Sequence, residues 1–329
     1  MSVNKLTQYD IYDEEERRLL SCCTLCPREC RVNRFEGGLG YCGADAGMNI
    51  ASICIHKGEE PAISGQKGIC NIFFSGCNLR CVYCQNHEIS KPGPENFMNQ
   101  FSYDEALQFV QNILDKGIRA VGFVSPSHVV PQVRAIIRGL KKNGYIPITV
   151  YNTNSYDKAE TIVAIGGDID VYLPDIKYIT PDVASQYSDA PNYPEVALKA
   201  LKEMYYQKGS RLVMDEKGIA ESGILIRHLV LPGHADESKK VLAAIAEELS
   251  TGVYISLMSQ YYPTMNVLNH PVLRRRLTRR EYNDVAREME SLGFRNGWLQ
   301  DMESYCNYLP DFSREHPFEN TEPPADLHQ

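Results

Sequence analysis

From Ile69 onward, short runs of β-branched and aromatic residues alternate with longer segments whose apolar residues recur at helical spacing. This alternation is typical of repeated β-α units that build a parallel sheet. The runs predict strands at residues 69–75, 120–124, 146–150, 169–173, 223–230 and 253–258. The amphipathic segments predict helices near residues 102–116, 129–142, 156–165, 194–207, 236–249 and 279–292.

Two of the predicted helices carry a start signal in the sequence. Ser102 with Glu105, and Thr278 with Glu281, have the spacing of a capping box, in which each side chain accepts a hydrogen bond from a free backbone N–H. We therefore expect helices to begin directly after Ser102 and Thr278.

Six β-α units are too few for a closed eight-stranded barrel and too regular for a mixed sheet. We therefore predict an α/β fold, a partial (β/α)6 TIM-like barrel, in preference to a doubly wound open sheet. The barrel is expected over residues 69–300, after a Cys-rich amino-terminal module at 1–68 and before a Pro-rich polar tail at 301–329. In either fold, chemistry belongs at the carboxyl ends of the strands.

Composition narrows the class of protein. A hydrophobic fraction of 43% and a charged fraction of 23% are ordinary for a globular chain. The formal net charge of −8 argues against a nucleic-acid partner. No apolar run is long enough for a membrane span, and the first residues lack the apolar core of a signal peptide, so we expect a cytoplasmic protein without membrane contact.

The cysteines depart from ordinary composition. Ten of the eleven lie between Cys22 and Cys84. In a cytoplasmic chain, such clustering indicates metal or redox chemistry more than a disulfide framework.

One group of cysteines directly follows the first predicted strand. Cys77, Cys81 and Cys84 have the spacing C-x3-C-x2-C. Three thiolates on one loop can hold three irons of a 4Fe-4S cluster and leave the fourth iron open to another ligand, whereas an electron carrier or a structural zinc usually takes four protein ligands. Part of a zinc knuckle, or buried thiols without a metal, are the alternatives.

The segment SGCNLRCVYCQN around these cysteines resembles the signature of the radical S-adenosylmethionine (radical SAM) superfamily, including the aromatic Tyr83. The resemblance implies that S-adenosylmethionine (SAM) chelates the fourth iron and is cleaved by the reduced cluster to a 5′-deoxyadenosyl radical. It makes Tyr83 and Asn86 candidate cofactor contacts.

The second strand end departs from the superfamily's pattern. Ser125, Ser127 and His128 stand where a Gly-Gly-Glu segment usually holds the amino group of SAM. We expect them to contact the cofactor, with a helix-capping turn as the alternative.

The third and fourth strand ends resemble segments of glycyl-radical activating enzymes. Asn152, Thr153 and Asn154 match a ribose-contacting Thr-Asn segment, for which an ordinary Asn-rich turn is the alternative. Asp175 and Lys177 match an Asp-x-Lys motif. Residues two apart on a strand share a face, which suits a zwitterionic ligand, and a surface ion pair is the alternative.

The last two strands add further candidates. Arg227 and His228 are adjacent, so at most one side chain faces inward, and the resemblance favours Arg227. Ser256 follows on the sixth strand, where core packing is an equally good explanation.

The amino-terminal cysteines form a second group. Cys23, Cys26, Cys30 and Cys42 offer four thiolates, enough for zinc or a second iron–sulfur cluster, and Cys22 competes with Cys23 for one place. The segment CTLCPRECRVNRFEGGLGYCG resembles the leading element of a radical SAM subgroup similar to pyruvate formate-lyase activating enzyme. The match continues through VYLPDIKY, IRHLVLP and MSQYYP.

Three hypotheses of function follow. By resemblance, the first is a glycyl-radical activating enzyme that abstracts hydrogen from a partner protein and receives electrons from a donor such as flavodoxin or ferredoxin. The second is radical modification of a small metabolite, peptide or RNA. The third, from a different class, is a non-catalytic iron–sulfur electron carrier or a zinc-bound interaction protein.

Overall fold

The computed structural model describes residues 9–91, 101–302, 310–314 and 317–318. The strands in this part of the chain are β1 (Ile50–His56), β2 (Ile69–Phe74), β3 (Ala120–Val124), β4 (Ile148–Thr153), β5 (Val171–Pro174), β6 (Val213–Met214), β7 (Ala220–Leu229), β8 (Tyr254–Met258) and β9 (Asn296–Leu299).

The α-helices in the same part of the chain alternate with these strands. They are α1 (Glu14–Ser21), α2 (Pro61–Ser64), α3 (His87–Ser90), α4 (Tyr103–Leu114), α5 (Val130–Lys142), α6 (Ala159–Ile165), α7 (Pro181–Ser188), α8 (Tyr193–Lys208), α9 (Ala235–Glu248) and α10 (Arg279–Ser291). No helix of the described residues is both long and apolar enough to span a membrane.

The strands form one mostly parallel sheet in the order β1-β2-β3-β4-β5-β7-β8-β9, with β6 paired only to β7. Strands β2, β3, β4, β5, β7 and β8 correspond to the six predicted strands, and all neighbours among them are parallel. The prediction of a partial barrel is confirmed. The sheet ends at β1 and β9, which are not paired with each other, so the barrel is open on one side.

Local sequence signals define the helix starts. Both predicted capping boxes are present: the side chains of Ser102 and Glu105 cap α4, and those of Thr278 and Glu281 cap α10. The central strands are buried along their whole length, as in β2 and β3, because helices cover a parallel sheet. Strand periodicity alone would not have distinguished such strands from buried helix segments.

The amino-terminal segment is part of the same sheet. Strand β1 pairs antiparallel with β2, so the predicted module boundary after residue 68 falls between two paired strands. Helix α1 is joined to α5 by an ion pair between buried Glu16 and Arg138, with Nη2 2.7 Å from Oε2. The Cys-rich segment therefore packs directly on the barrel.

The described part of the predicted tail also contacts the sheet. The rings of Phe312 and Phe73 have centroids 5.3 Å apart, and those of Phe318 and His56 are 4.1 Å apart. The side chains of Phe312 and Phe318 thus pack the polar tail against β1 and β2.

Strand β9 depends on a residue without a side chain. Gly297 has φ +123°, and a Cβ at this position would overlap the backbone of Ile255 in β8. We expect Gly297→Ala to destabilise the fold by about 2 kcal/mol through backbone strain and overpacking, which lowers Tm by about 4 °C. Thermal unfolding followed by circular dichroism measures this.

Gly167→Ala is the matched control, because an added Cβ there has no atom within 4 Å. Its Tm should stay near that of the wild type. Equal melting temperatures for the two variants would show that the close approach of β8 and β9 does not restrict residue 297.

Candidate functional site

The carboxyl ends of the parallel strands surround a cavity of about 380 Å³. Residues from the loop after β1, from the loop after β2 and from the ends of β4, β5, β7 and β8 line it. The predicted site residues among its lining are Cys77, Cys81, Tyr83, Cys84, Asn86, Ser125, Asn152, Asn154, Asp175, Lys177, Arg227 and Ser256.

Three thiols open into this cavity from the loop after β2. Burial raises the pKa of Cys77 to about 12, and the neighbouring Cys81 adds to that shift. Burial likewise raises the pKa of Cys84. Without a metal, Cys77 and Cys84 are therefore protonated, and a bound metal would displace their protons.

Hydrogen bonds hold the three sulfurs in place, and Ser90 Oγ donates to Cys84 Sγ at 3.4 Å. Asn154 Nδ2 donates to Cys77 Sγ at 3.5 Å, which ties the thiol to the end of β4. Cys81 Sγ lies 3.0 Å from Ser188 Oγ at the end of α7. Polar groups around ligand sulfurs orient them and tune the metal that they bind.

In the described residues, no three Cys, His, Asp or Glu side chains are spaced to share one metal ion. A 4Fe-4S cluster does not require such spacing, because each thiolate binds a different iron. Among the described residues, three thiols line this cavity and no fourth cysteine does, which fits a cluster with an open iron better than a closed zinc site.

Arg227 forms the centre of a polar network on the cavity wall. Its Nε donates to Asp175 Oδ1 at 2.8 Å, its Nη1 to Glu59 Oε2 at 3.0 Å and its Nη2 to Asn152 Oδ1 at 2.7 Å. Lys177 Nζ donates to the other oxygen of Asp175 at 2.9 Å. The network joins β7, β5, β4 and the loop after β1.

The charges in this network determine the protonation of Asp175. Burial alone would raise the pKa of Asp175, but the charges of Arg227 and Lys177 outweigh burial and hold that pKa below its ordinary value. Asp175 is therefore a carboxylate paired with two cations.

Glu60 differs from the other carboxyl groups of the cavity. Its Oε2 is buried without a hydrogen-bond partner among the described residues. Burial, followed by the charge of Glu59, raises the pKa of Glu60, although Arg227 acts in the opposite direction. A bound molecule with a hydrogen-bond donor would satisfy this oxygen.

Sequence reasoning missed Glu59 and Glu60, which lie before the first predicted strand. The available signal was a pair of acidic residues directly before Pro61, which occupies the first position of the short helix α2. Trp298 and Phe318 also line the cavity and were not predicted.

Three of the residues that the sequence predicts to contact the cofactor do not line the cavity. Ser127 Oγ is 3.1 Å from Thr153 Oγ1, and Thr153 in turn donates to Asp157. His128 Nε2 donates to the carbonyl of Ser75 at 2.9 Å. The structure therefore places Ser127, His128 and Thr153 in buried hydrogen bonds that support the loops around the cavity.

The amino-terminal cysteines lie outside this cavity. Cys23, Cys26 and Cys42 are buried and Cys30 is partly buried, whereas Cys22 is exposed. Of the two cysteines that compete for one ligand place, Cys23 is buried and close enough to Cys26 and Cys42 to affect the pKa of each, whereas Cys22 is exposed to solvent.

Comparison with known proteins identifies the family. The sequence model of the radical SAM superfamily matches residues 71–245, more than half of the chain. The chain belongs to the radical SAM superfamily. The match includes the three cysteines of the loop after β2 and the strands from β3 to β7 that surround the cavity.

A relative with similar sequence is the uncharacterised protein MJ0674 of Methanocaldococcus jannaschii. The two are 29% identical over 289 residues, which cover 85% of this chain and 77% of the relative. This relative extends the similarity beyond the residues that the family model matches.

Solved structures show weaker likeness. Streptococcus suis SuiB bound to SAM has a TM-score of 0.45 at 11% identity, over 71% of this chain and 50% of SuiB. SuiB bound to the precursor peptide SuiA has a TM-score of 0.46 at 12% identity, over 73% of this chain and 50% of SuiB. A domain of pyruvate-formate lyase-activating enzyme from Bacteroides vulgatus has a TM-score of 0.37 at 15% identity, over 52% of this chain and 93% of that domain. This chain spans about half of SuiB, and TM-scores below 0.5 carry no weight for substrate or partner.

Membership in the radical SAM superfamily implies a 4Fe-4S cluster and SAM as cofactors. The cavity provides chemistry that suits both: thiols for irons, and paired acidic and basic side chains for a zwitterion.

His228, next to Arg227, gives a test of how this wall is packed. Burial lowers the pKa of His228 to about 4, and its Nδ1 donates to the carbonyl of Ile176 at 2.7 Å. Because an unfolded histidine titrates near about 6.5, the unfolded state binds a proton that the folded state excludes, and stability falls as pH drops from about 6.5 toward 4.

His228→Asn keeps a donor for that carbonyl and removes the titration. We expect its unfolding free energy to depend on pH more weakly over this range, by about one proton, in urea denaturation at several pH values. Identical pH slopes for variant and wild type would mean that folding does not lower the pKa of His228.

Proposed function

We propose that Cys77, Cys81 and Cys84 hold the 4Fe-4S cluster and that this chain is an enzyme that abstracts a hydrogen atom from a substrate. When bound, the reduced cluster supplies an electron that cleaves SAM to methionine and a 5′-deoxyadenosyl radical. The observation that carries the proposal is the opening of three thiols into the cavity that holds the charged ends of β5 and β7.

The other polar residues of the cavity are proposed to bind and orient SAM. Lys177 and Arg227 provide cations for a carboxylate, and Asp175 provides an anion for an ammonium or sulfonium group. The remaining proposed contacts are Tyr83, Asn86, Ser125, Asn152, Asn154 and Ser256. Ser127, His128 and Thr153 are proposed to position these loops rather than to touch the cofactor.

Cys81→Ala tests the assignment of the cluster. After anaerobic reconstitution, addition of dithionite and SAM should release 5′-deoxyadenosine from the wild type, and the variant should lose this release because one iron lacks its thiolate. Chromatography of the quenched reaction measures the product.

Cys54→Ala is the matched control, because Cys54 is a buried thiol on β1 that does not line the cavity. It should retain the release. Equal release by the Cys81 and Cys54 variants, or none from the wild type, would contradict the assignment and favour an electron carrier.

For the substrate, we propose a residue of a partner protein, as in a glycyl-radical activating enzyme. The resemblance of the loop and strand-end segments supports this class. Among the described residues, β1 and β9 each pair with one strand, and this supports it too, because an open barrel can admit an extended chain segment beside the cavity. A flavodoxin or ferredoxin is the proposed electron donor.

A small molecule is the second candidate, and Glu60 favours it. The cavity contains Glu59, Glu60 and Asp175 against Arg227 and Lys177, so a substrate with an amine or another donor would match the surplus carboxyl group.

Deuterium transfer separates the two candidates. A partner protein labelled with deuterated glycine should yield deuterium in 5′-deoxyadenosine, detected by mass spectrometry, if the proposal of a protein substrate holds. The unlabelled partner is the control. Deuterium that arrives only from a labelled small molecule would contradict it.

A further inference from the structure

The amino-terminal cysteines surround a buried cation. Arg34 is 2% exposed, and its guanidinium interacts with the sulfurs of Cys23, Cys26 and Cys42. Its Nη1 donates to the carbonyl of His128 at 2.7 Å, and its Nη2 lies 3.4 Å from Cys42 Sγ.

Among the described residues, cysteines rather than carboxylates are the charge partners of Arg34. In the same part of the chain, its Nε is buried without a hydrogen-bond partner. A guanidinium is always charged, and burial of an unpaired charge is strongly unfavourable. Neutral thiols are weak acceptors that do not offset this cost, whereas thiolates would.

All four sulfurs also have N–H donors nearby. Cys26 lies near the backbone N–H of Arg28, and Cys42 lies near that of Ala44. The N–H of Tyr41 donates to Cys30 Sγ at 3.3 Å, and the guanidinium of Arg34 lies near Cys23. N–H groups directed at sulfur stabilise negative charge on it, as they do around metal thiolates.

We propose that Cys23, Cys26, Cys30 and Cys42 form a second metal centre, a tetrathiolate site whose negative charge is balanced by Arg34. On binding, each thiol releases its proton to solvent and its sulfur coordinates the metal. A zinc ion with four thiolates carries a net charge of −2, as does an oxidised 4Fe-4S cluster with four thiolates, so either one pairs with the guanidinium.

The spacing of the sulfurs bears on which metal binds. No three of them are spaced to share a single ion. A 4Fe-4S cluster takes one thiolate at each iron and does not need such spacing, whereas zinc requires the side chains to converge.

The proposed centre is attached to the loop of the radical SAM cluster. Arg28, two residues beyond Cys26, donates through Nε to the carbonyl of Asn78 at 3.0 Å. Arg80 donates to the carbonyl of Tyr41. The centre would therefore hold the Cys77 loop in place from outside the cavity.

A variant without the barrel cysteines isolates this site. In the full chain with Cys77→Ala, Cys81→Ala and Cys84→Ala, we expect one zinc or about four irons per chain after anaerobic purification, measured by plasma mass spectrometry. Further substitution of Cys26→Ala should abolish this metal, and Cys22→Ala, at the exposed neighbour, should retain it. Because this background cannot hold the barrel cluster, the result is independent of the proposed function.

Two outcomes would overturn the inference: a triple variant without stoichiometric metal, or equal metal content with and without Cys26. If the Cys26 variant does not fold, Co²⁺ loading of the triple variant decides. Absorption from thiolate-to-cobalt charge transfer supports the site, and its absence overturns it.

Discussion

The buried guanidinium of Arg227 is the contact on which the cavity depends. A charge in this position requires partners, and those partners come from β4, β5 and the loop after β1. The strand ends therefore cannot move apart independently without leaving a buried charge unpaired. Because Glu59 is one of the partners, the segment before the first barrel strand helps to form the site.

The two buried arginines have different surroundings, and the difference separates two kinds of chemistry. Arg227 is balanced by carboxylates, which leaves the three cavity thiols free to bind metal. Arg34 instead lies near the sulfurs of Cys23, Cys26 and Cys42, which are its charge partners among the described residues. The charge partners of the two arginines thus distinguish the thiols of the barrel cavity from the amino-terminal thiols near Arg34.

Much of the barrel could be predicted from the sequence because its signals are local. β-branched runs identified the six central strands, and the capping boxes at Ser102 and Thr278 identified two helix starts. Strand alternation favoured one of Arg227 and His228, and the structure directs Arg227 to the cavity. The same rule, applied to β4, would have separated Asn152 and Asn154 from Thr153, whose side chain faces away from the cavity.

The parts of the fold and of the site that the sequence did not predict depend on contacts between distant parts of the chain. Glu59 meets Arg227 across 168 residues, and no periodicity precedes β2 to indicate that its loop reaches the cavity. Strands β1 and β9 were missed for a similar reason: β9 is short and contains Gly297, and both strands are stabilised by pairing at the sheet edges rather than by their own pattern.

The most direct test of this account is whether the cluster has one iron that no protein thiolate binds. Electron–nuclear double resonance of the reduced protein with SAM labelled with ¹⁵N at its amino group and ¹⁷O at its carboxylate measures this contact. We expect hyperfine couplings from both labels, since the open iron would coordinate both groups. A reduced cluster that shows neither coupling would contradict the account.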